Sequence, residues 1–380
     1  MQKKQFILLF FGLLCLSINL YAFQGKKLPD KYKKIQQYLD KATKNKLAGV
    51  SIYIQSLKYG EWTASSGYAN VKHKEPLQKD HIFSMASIGK MYNAVAVLKL
   101  IEEGKIHLDD KIENYLPAEI INNLPNAKDV TIRHLLGHTS GFVNYDSDPE
   151  LNRLYLSGLL KLDTLSHINA LRRYVFGKNA LCRPGSEYHY SSTNYMLLAM
   201  IVDYVVPEGH SYYLKKLIRQ HGFSNTYYRQ TPPYKNVTYY GDLNKDEVAE
   251  DVTVQTIETT NWFIGDDGVY ATIEDAAHFL QDLMKGKILN QRSLKEMTTW
   301  NNDKKPDYGL GLMADKSFPY KFLMGHSGRG IGTTIDLYYF PKQDMTVAIF
   351  CNNGLRAAAP GFGKSYNKMR TRIIKKLFLF

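Results

Sequence analysis

The sequence predicts a mixed α/β fold of the α+β kind, with one antiparallel sheet formed by both chain ends and a mostly helical region inserted in it. Three observations predict it. Residues Val50, Ser51, Ile52, Tyr53 and Ile54 alternate in β fashion, and a second strand around 62–68 follows the Lys58-Tyr59-Gly60 turn, giving a hairpin. β-patterning returns near the other end, at 333–340 and Met345–Cys351, with 341–344 as the connection. Between these ends the period changes to that of helices, as at 195–205 and Ile273–Met284. The 380 residues suffice for one large domain or two small ones, and no repeat, low-complexity segment or linker divides them. A single domain is therefore expected over 23–380, its sheet part about 28–86 and 310–380, its helical part about 87–309.

The elements follow in order. Lys3 and Lys4, an apolar run from Phe6 to Leu20, and then Tyr21-Ala22 make 1–22 read as a secretory signal cleaved near Ala22, which implies a secreted or periplasmic protein. About 15 apolar residues fall short of the roughly 20 that span a bilayer. A lipoprotein reading through Cys15 is disfavoured by Leu13-Leu14, where that signal needs a small residue. Cys182 and Cys351 then remain, too few for a disulfide-held scaffold, and whether they pair is left open. A polar helix is expected near 31–44, before the hairpin. From Ser87 onward Met91, Ala94, Val95, Leu98 and Ile101 form a helical stripe that ends at Gly104. The middle carries a tyrosine-rich loop (Tyr227, Tyr228, Tyr234, Tyr239, Tyr240), whose amphipathic rings suit half-buried surface packing better than a substrate cleft.

The formal charge of +13 suggests nucleic acid as a partner, but two charges leave with the leader and six lie between Lys364 and Lys376. The remainder is mildly basic and no nucleic-acid module is present, so that class is set aside. The basic tail has helical apolar spacing (Met369, Ile373, Ile374, Leu377), as expected of a last helix packing on a sheet; peripheral attraction to an anionic membrane is the second reading.

Chemistry concentrates at Ser87-Ile88-Gly89-Lys90. Three residues apart at a helix start, the hydroxyl and the amine share one face, about 5–6 Å apart at Cβ. A serine hydroxyl becomes a nucleophile when a neighbour takes its proton, and a lysine can do so if burial or a nearby cation lowers its pKa. The helix N-terminus adds N–H donors for an oxyanion. The same spacing recurs at Ser365-Tyr366-Asn367-Lys368, amid basic residues and with no apolar stripe beginning there, and is read as chance. Two further segments distinguish the first copy: Pro184-Gly185-Ser186-Glu187-Tyr188-His189-Tyr190-Ser191-Ser192-Thr193-Asn194-Tyr195, a turn and loop entering a helix, and the glycine-rich Gly325-His326-Ser327-Gly328-Arg329-Gly330.

With Phe83-Ser84-Met85-Ala86 before Ser87, Leu100-Ile101-Glu102-Glu103-Gly104-Lys105, Thr131-Ile132-Arg133-His134-Leu135-Leu136-Gly137-His138-Thr139-Ser140-Gly141 and Gly265-Asp266-Asp267-Gly268-Val269-Tyr270-Ala271-Thr272, these segments resemble the serine β-lactamase and penicillin-recognising family. The branch is that of class C β-lactamases, D-peptidases and related esterases, and the resemblance covers about 83–353. It implies that Ser87 is the acylated nucleophile, Lys90 its proton-transfer partner and Tyr190 a sharer of general-base duty. It implies further that His326-Ser327-Gly328 is the third motif, His326 binding substrate or holding a positive field and Gly328 letting the strand lie close to substrate. The oxyanion hole would be the N–H groups of Ser87 and Arg329. The chain departs from the pattern at Ser192, where the family usually has asparagine; a hydroxyl is shorter and donates only once, which weakens amide recognition and β-lactam turnover most.

The reaction implied is acyl-enzyme hydrolysis of an ester or amide with no cofactor and no metal. The substrate would be a small molecule or peptide, cell-wall derived in one reading. His134 and His138, at i and i+4, lack the adjacent glutamate of a zinc peptidase helix and are expected to be structural. The rival from another class is a non-catalytic receptor of the same fold that binds cell-wall peptides; a true class C β-lactamase ranks below both.

Overall fold

The computed structural model describes residues 30–58, 60–157, 161, 165–300, 307–316, 322–356 and 358–378. The expected signal segment, with Cys15, and Tyr59 of the hairpin turn lie outside them.

Strands in chain order are β1 (Gly49–Ser56), β2 (Gly60–Asn70), β3 (Glu75–Pro76), β4 (Ile82–Ser84), β5 (Thr226–Tyr228), β6 (Tyr240–Gly241), β7 (Glu250–Asp251), β8 (Val269–Thr272), β9 (Asp307–Tyr308), β10 (Met313–Asp315), β11 (Leu323–Arg329), β12 (Thr334–Phe340) and β13 (Met345–Cys351). Eight of them form an antiparallel sheet in the order β3-β2-β1-β13-β12-β11-β10-β9. The N-terminal hairpin thus joins the C-terminal meander through β1 and β13, with Val50 opposite Cys351 and Ser56 opposite Met345.

Both faces of the sheet are covered, and period-two alternation sorts residues between them. Val50, Ile52 and Ile54 of β1, with Val347, Ile349 and Cys351 of β13, meet the helices Asp30–Asn45 and Pro360–Phe378. Tyr53, Ala348 and Phe350 turn to the other side, into the larger core. The helix Ile273–Met284 packs there against β1, β12 and β13. The C-terminal helix buries Phe362, Tyr366, Met369, Ile373 and Ile374, so its apolar face belongs to the core. Among the described residues no helix is long and apolar enough to cross a membrane.

The inserted middle region is mostly helical, as expected, and carries a few short strands besides. β4, β8 and β5 make a second antiparallel sheet, pairing Ser84 with Tyr270 and Tyr227 with Tyr270 across β8. Strands of three or four residues are too short to show a period. The helix Gly89–Glu102 departs from a one-sided stripe: Lys90, Asn93, Val97 and Leu100 are buried along with Met91, Ala94 and Leu98. A helix enclosed on all sides lies between layers rather than on a surface.

The tyrosine-rich loop corrects another expectation. Tyr228, Tyr239 and Tyr240 are buried rather than half-exposed. The Tyr239 hydroxyl accepts from the Ser84 N–H at 2.6 Å, and the Tyr228 hydroxyl accepts from the Gly265 N–H at 3.2 Å, so both hold backbone on either side of the Ser87 helix. Cys182 and Cys351 are both free thiols.

Candidate active site

β4 ends at Ser84 and the chain turns through Met85 into a short 3₁₀ segment, Ala86–Ile88, before the helix Gly89–Glu102 begins. Ala86 adopts a φ of 44°, in the left-handed region that side chains disfavour. Such conformations cost about 1–3 kcal/mol and persist where surroundings impose them. The surroundings here are β11: a Cβ on Gly328 would lie 2.5 Å from the Met85 carbonyl oxygen and 3.2 Å from the Ala86 Cβ. Gly328 therefore makes room for the turn that carries Ser87.

Ser87 stands at the edge of an open cavity of about 450 Å³, together with Ala86, Asn144, Tyr190, Asp266 and Arg329. The Lys90 Nζ lies 3.3 Å from the Ser87 Oγ, as the helical spacing requires. Lys90 is fully buried, and its Nζ sits 4.9 Å from the Tyr190 ring centroid. Burial pushes its ammonium towards neutrality, but the charges of Tyr190 and then Asp266 more than offset this and hold it above the ordinary lysine value. The condition for a free lysine base, a lowered pKa, is not met.

Asp266 is the residue that the sequence motifs left without a role. It is buried, with Oδ2 3.7 Å from the Lys90 Nζ, and its carbonyl oxygen accepts from the same nitrogen at 3.4 Å. The Tyr145 hydroxyl donates to Oδ1 at 3.2 Å. Burial pushes the Asp266 carboxyl up to about 6 against the pull of Lys90. Asp267 beside it is pushed up to about 7 by burial and by Asp266. Two aspartates in succession within an apolar approach to a strand were the available signal.

Ser192 opens the helix Ser192–Val205 and is buried. Its N–H donates to the Asn144 Oδ1 at 2.9 Å. It does not line the cavity, which corrects its expected role as a substrate contact.

His326 is also behind the surface. Its Nδ1 donates to the Ser327 carbonyl at 2.7 Å, so its Nε2 accepts from the Tyr308 hydroxyl at 3.2 Å. Burial, with the charge of Lys90, pushes its pKa down to about 3, and a neutral ring supplies no positive field. The expectation of a field or of a substrate contact is corrected: both nitrogens are occupied, and the ring packs near Tyr190 at 6.3 Å between centroids. Ser327 and Arg329 border the cavity, but strand alternation turns their side chains to the opposite face of β11 from His326 and Gly328, towards Asp336 and the C-terminal helix. The Arg329 guanidinium donates to Asp336 at 2.7 Å. Despite burial, Asp336 is held well below the usual carboxylate range by Arg329 and Arg370.

The two histidines of the 131–141 block are separated in function. His134 completes a capping box with Thr131. His138 is buried, its Nδ1 accepts from the Ser191 N–H at 3.2 Å, and its ring packs 4.4 Å from that of Tyr190. The second serine–lysine pair is remote: Ser365 and Lys368 lie on the outer side of the C-terminal helix, with Lys368 exposed.

Known proteins resemble the chain in sequence and in fold. The chain is 27% identical over 307 residues to "Penicillin-binding protein 4*" of Bacillus subtilis (strain 168), a match covering 76% of this chain and 64% of that protein. The chain thus matches less than two thirds of that relative's length. In fold it is similar to a D-stereospecific amidohydrolase from Streptomyces sp. (TM-score 0.77, 24% identity, 92% of this chain and 99% of the other). It is similar likewise to the D-amino acid amidase from Ochrobactrum anthropi SV3 complexed with L-phenylalanine amide (TM-score 0.75, 21% identity, 92% and 99%). The family model described as Beta-lactamase matches residues 33–361, nearly the whole described chain, and the protein therefore belongs to the beta-lactamase family of serine hydrolases.

Proposed function

We propose that this protein is an exported hydrolase that opens an ester or amide through an acyl-enzyme on Ser87. The observation that carries the reading is the contact of the Ser87 Oγ with a buried lysine at 3.3 Å, on the wall of an open cavity shared with Tyr190. With Lys90 as the ammonium, Tyr190 acts as the phenolate: its oxygen takes the proton of Ser87, becomes the neutral phenol and later returns the proton to the leaving group. Lys90 then serves as the fixed positive charge between the two oxygens. The N–H groups of Ser87 and Arg329 take the oxyanion, and water releases the acid.

The substrate class proposed is a D-amino-acid amide or peptide, or a small ester. Of the solved structures of like fold, one is by name a D-stereospecific amidohydrolase and another a D-amino acid amidase. An N-terminal leader, if cleaved as the sequence suggests, puts the enzyme where cell-wall peptides are available.

A fluorophosphonate probe should label the wild type and fail to label Ser87→Ala. Equal labelling of the two would refute the assignment of the nucleophile. A panel of p-nitrophenyl esters, D-amino-acid amides and nitrocefin then separates the substrate classes. Ser192, turned from the cavity, favours nitrocefin as the poorest of the three; binding of peptides without turnover of any would favour the receptor reading.

A further inference from the structure

Position 192, where the family usually has an asparagine, carries here the shorter hydroxyl of a serine. What approaches Lys90 instead is a carboxylate from another part of the chain. Asp266 lies 3.7 Å from the Lys90 Nζ, with both side chains withdrawn from solvent. Two further contacts fix it. Its own carbonyl oxygen accepts from Lys90, and the Tyr145 hydroxyl donates to Oδ1. The Ser192 N–H is meanwhile held by Asn144, so the start of the helix Ser192–Val205 is tied to the same wall.

We propose that Asp266 is the positioning residue for Lys90 in this enzyme, its carboxylate doing for the lysine what the family's asparagine does from position 192. The proposal rests on the reading of Ser87, Lys90 and Tyr190 given above. A carboxylate accepts only, whereas an amide also donates. The exchange therefore gives Lys90 a formal counter-charge in place of a dipole and takes a hydrogen-bond donor away from the substrate's side. Lys90 is held charged beneath Ser87, and substrates that need an amide donor are disfavoured. The charged and titratable groups around Asp266 are Lys90, Asp267, Asp146 and Tyr145, and Asp146 is itself paired with Arg356 at 2.6 Å. Loss of activity on acidification through the Asp266 range is a consequence, because a protonated carboxyl no longer compensates the ammonium.

The test reads the rate of fluorophosphonate labelling, and of p-nitrophenyl butyrate hydrolysis, across pH in four proteins: wild type, Asp266→Asn, Asp266→Ala, and Asp266→Ala combined with Ser192→Asn. Thermal melting establishes that each is folded. The expected result is labelling about 10- to 100-fold slower in Asp266→Asn and Asp266→Ala, the range for a misplaced reacting group. The fall in rate near pH 6 seen in the wild type should be absent from both. Ser192→Asn should recover most of the loss, because the longer amide fills the space vacated by the carboxylate. A structural role alone would move neither the pH profile nor the double variant. Wild-type labelling with no acid limb, or single variants that label at the wild-type rate and pH dependence, would overturn the proposal while leaving the nucleophile assignment standing. Failure of the wild type to label would remove both. Should the single variants not fold, the acid limb of the wild type and the double variant decide the matter.

Discussion

Lys90 shows how closely balanced a buried charge can be. Removing an ammonium from water costs several kcal/mol even after relaxation. A carboxylate about 4 Å away returns roughly 4 kcal/mol at the effective dielectric of protein sites. Asp266 at 3.7 Å thus about offsets the cost, and Tyr190, against the same nitrogen, decides the outcome in favour of the charged form. The proton acceptor is then Tyr190 as its phenolate, so Tyr190→Phe should lower the rate of Ser87 acylation by about 10²–10⁴-fold, the span for general-base groups. Stopped-flow labelling would measure this, and unchanged melting would show that the ring still packs on His138. At this scale the sequence revealed Ser87, Lys90 and Tyr190, because a helical spacing and a loop entering a helix are local patterns. It did not reveal Asp266, since the ion pair with Lys90 joins residues far apart in the chain, nor the neutrality of His326, which follows from burial that no local pattern records.

Among the elements, β11 bears on the site most directly. It presses against the Met85 carbonyl so closely that only glycine fits at 328, and Ala86 is held in a left-handed conformation beside it. Gly328→Ala should cost about 1–3 kcal/mol, as overpacking does, and should slow Ser87 chemistry by displacing its turn. Urea denaturation and labelling rate would measure the two effects; a variant with wild-type values for both would mean that the turn does not depend on this contact. β12, β13 and the helix Ile273–Met284 were legible from period alone. β4, β5 and β8 were not, being too short for a period to form, and the helix Gly89–Glu102 misled because the sequence stripe marks only its most apolar line, while Lys90 and Asn93 are buried with polar partners. The parity of β11 was readable in principle: His326 and Gly328 share the face towards the Ser87 turn and Tyr190, and Ser327 and Arg329 the face towards the C-terminal helix.

For the molecule as a whole, acid is the expected weakness. His210 and His326 are pushed down to about 3 by burial, and His138 is also lowered well below its ordinary value. Each contributes stability that is complete above the unfolded value near 6.5 and is lost as pH falls towards the folded value. Asp266 and Asp267, raised to about 6 and about 7, act oppositely: their contribution is complete below the unfolded carboxylate value and is lost as pH rises through their own. Three histidines with wide shifts outweigh two carboxylates, so the urea midpoint should be lower at about pH 4.5 than at about pH 7.5. His210→Gln should narrow the gap, and an equal or higher midpoint in acid would refute the balance. The overall architecture was legible because both chain ends carry clear strands with helices between, and any sheet made from such ends must pair them, as β1 and β13 do. That pairing carries a consequence for biosynthesis. A growing chain presents Ser87 and Lys90 early, yet β11, which presses on the serine turn, and β13, which pairs with β1, are made near the end, so the fold around the serine closes only late in synthesis.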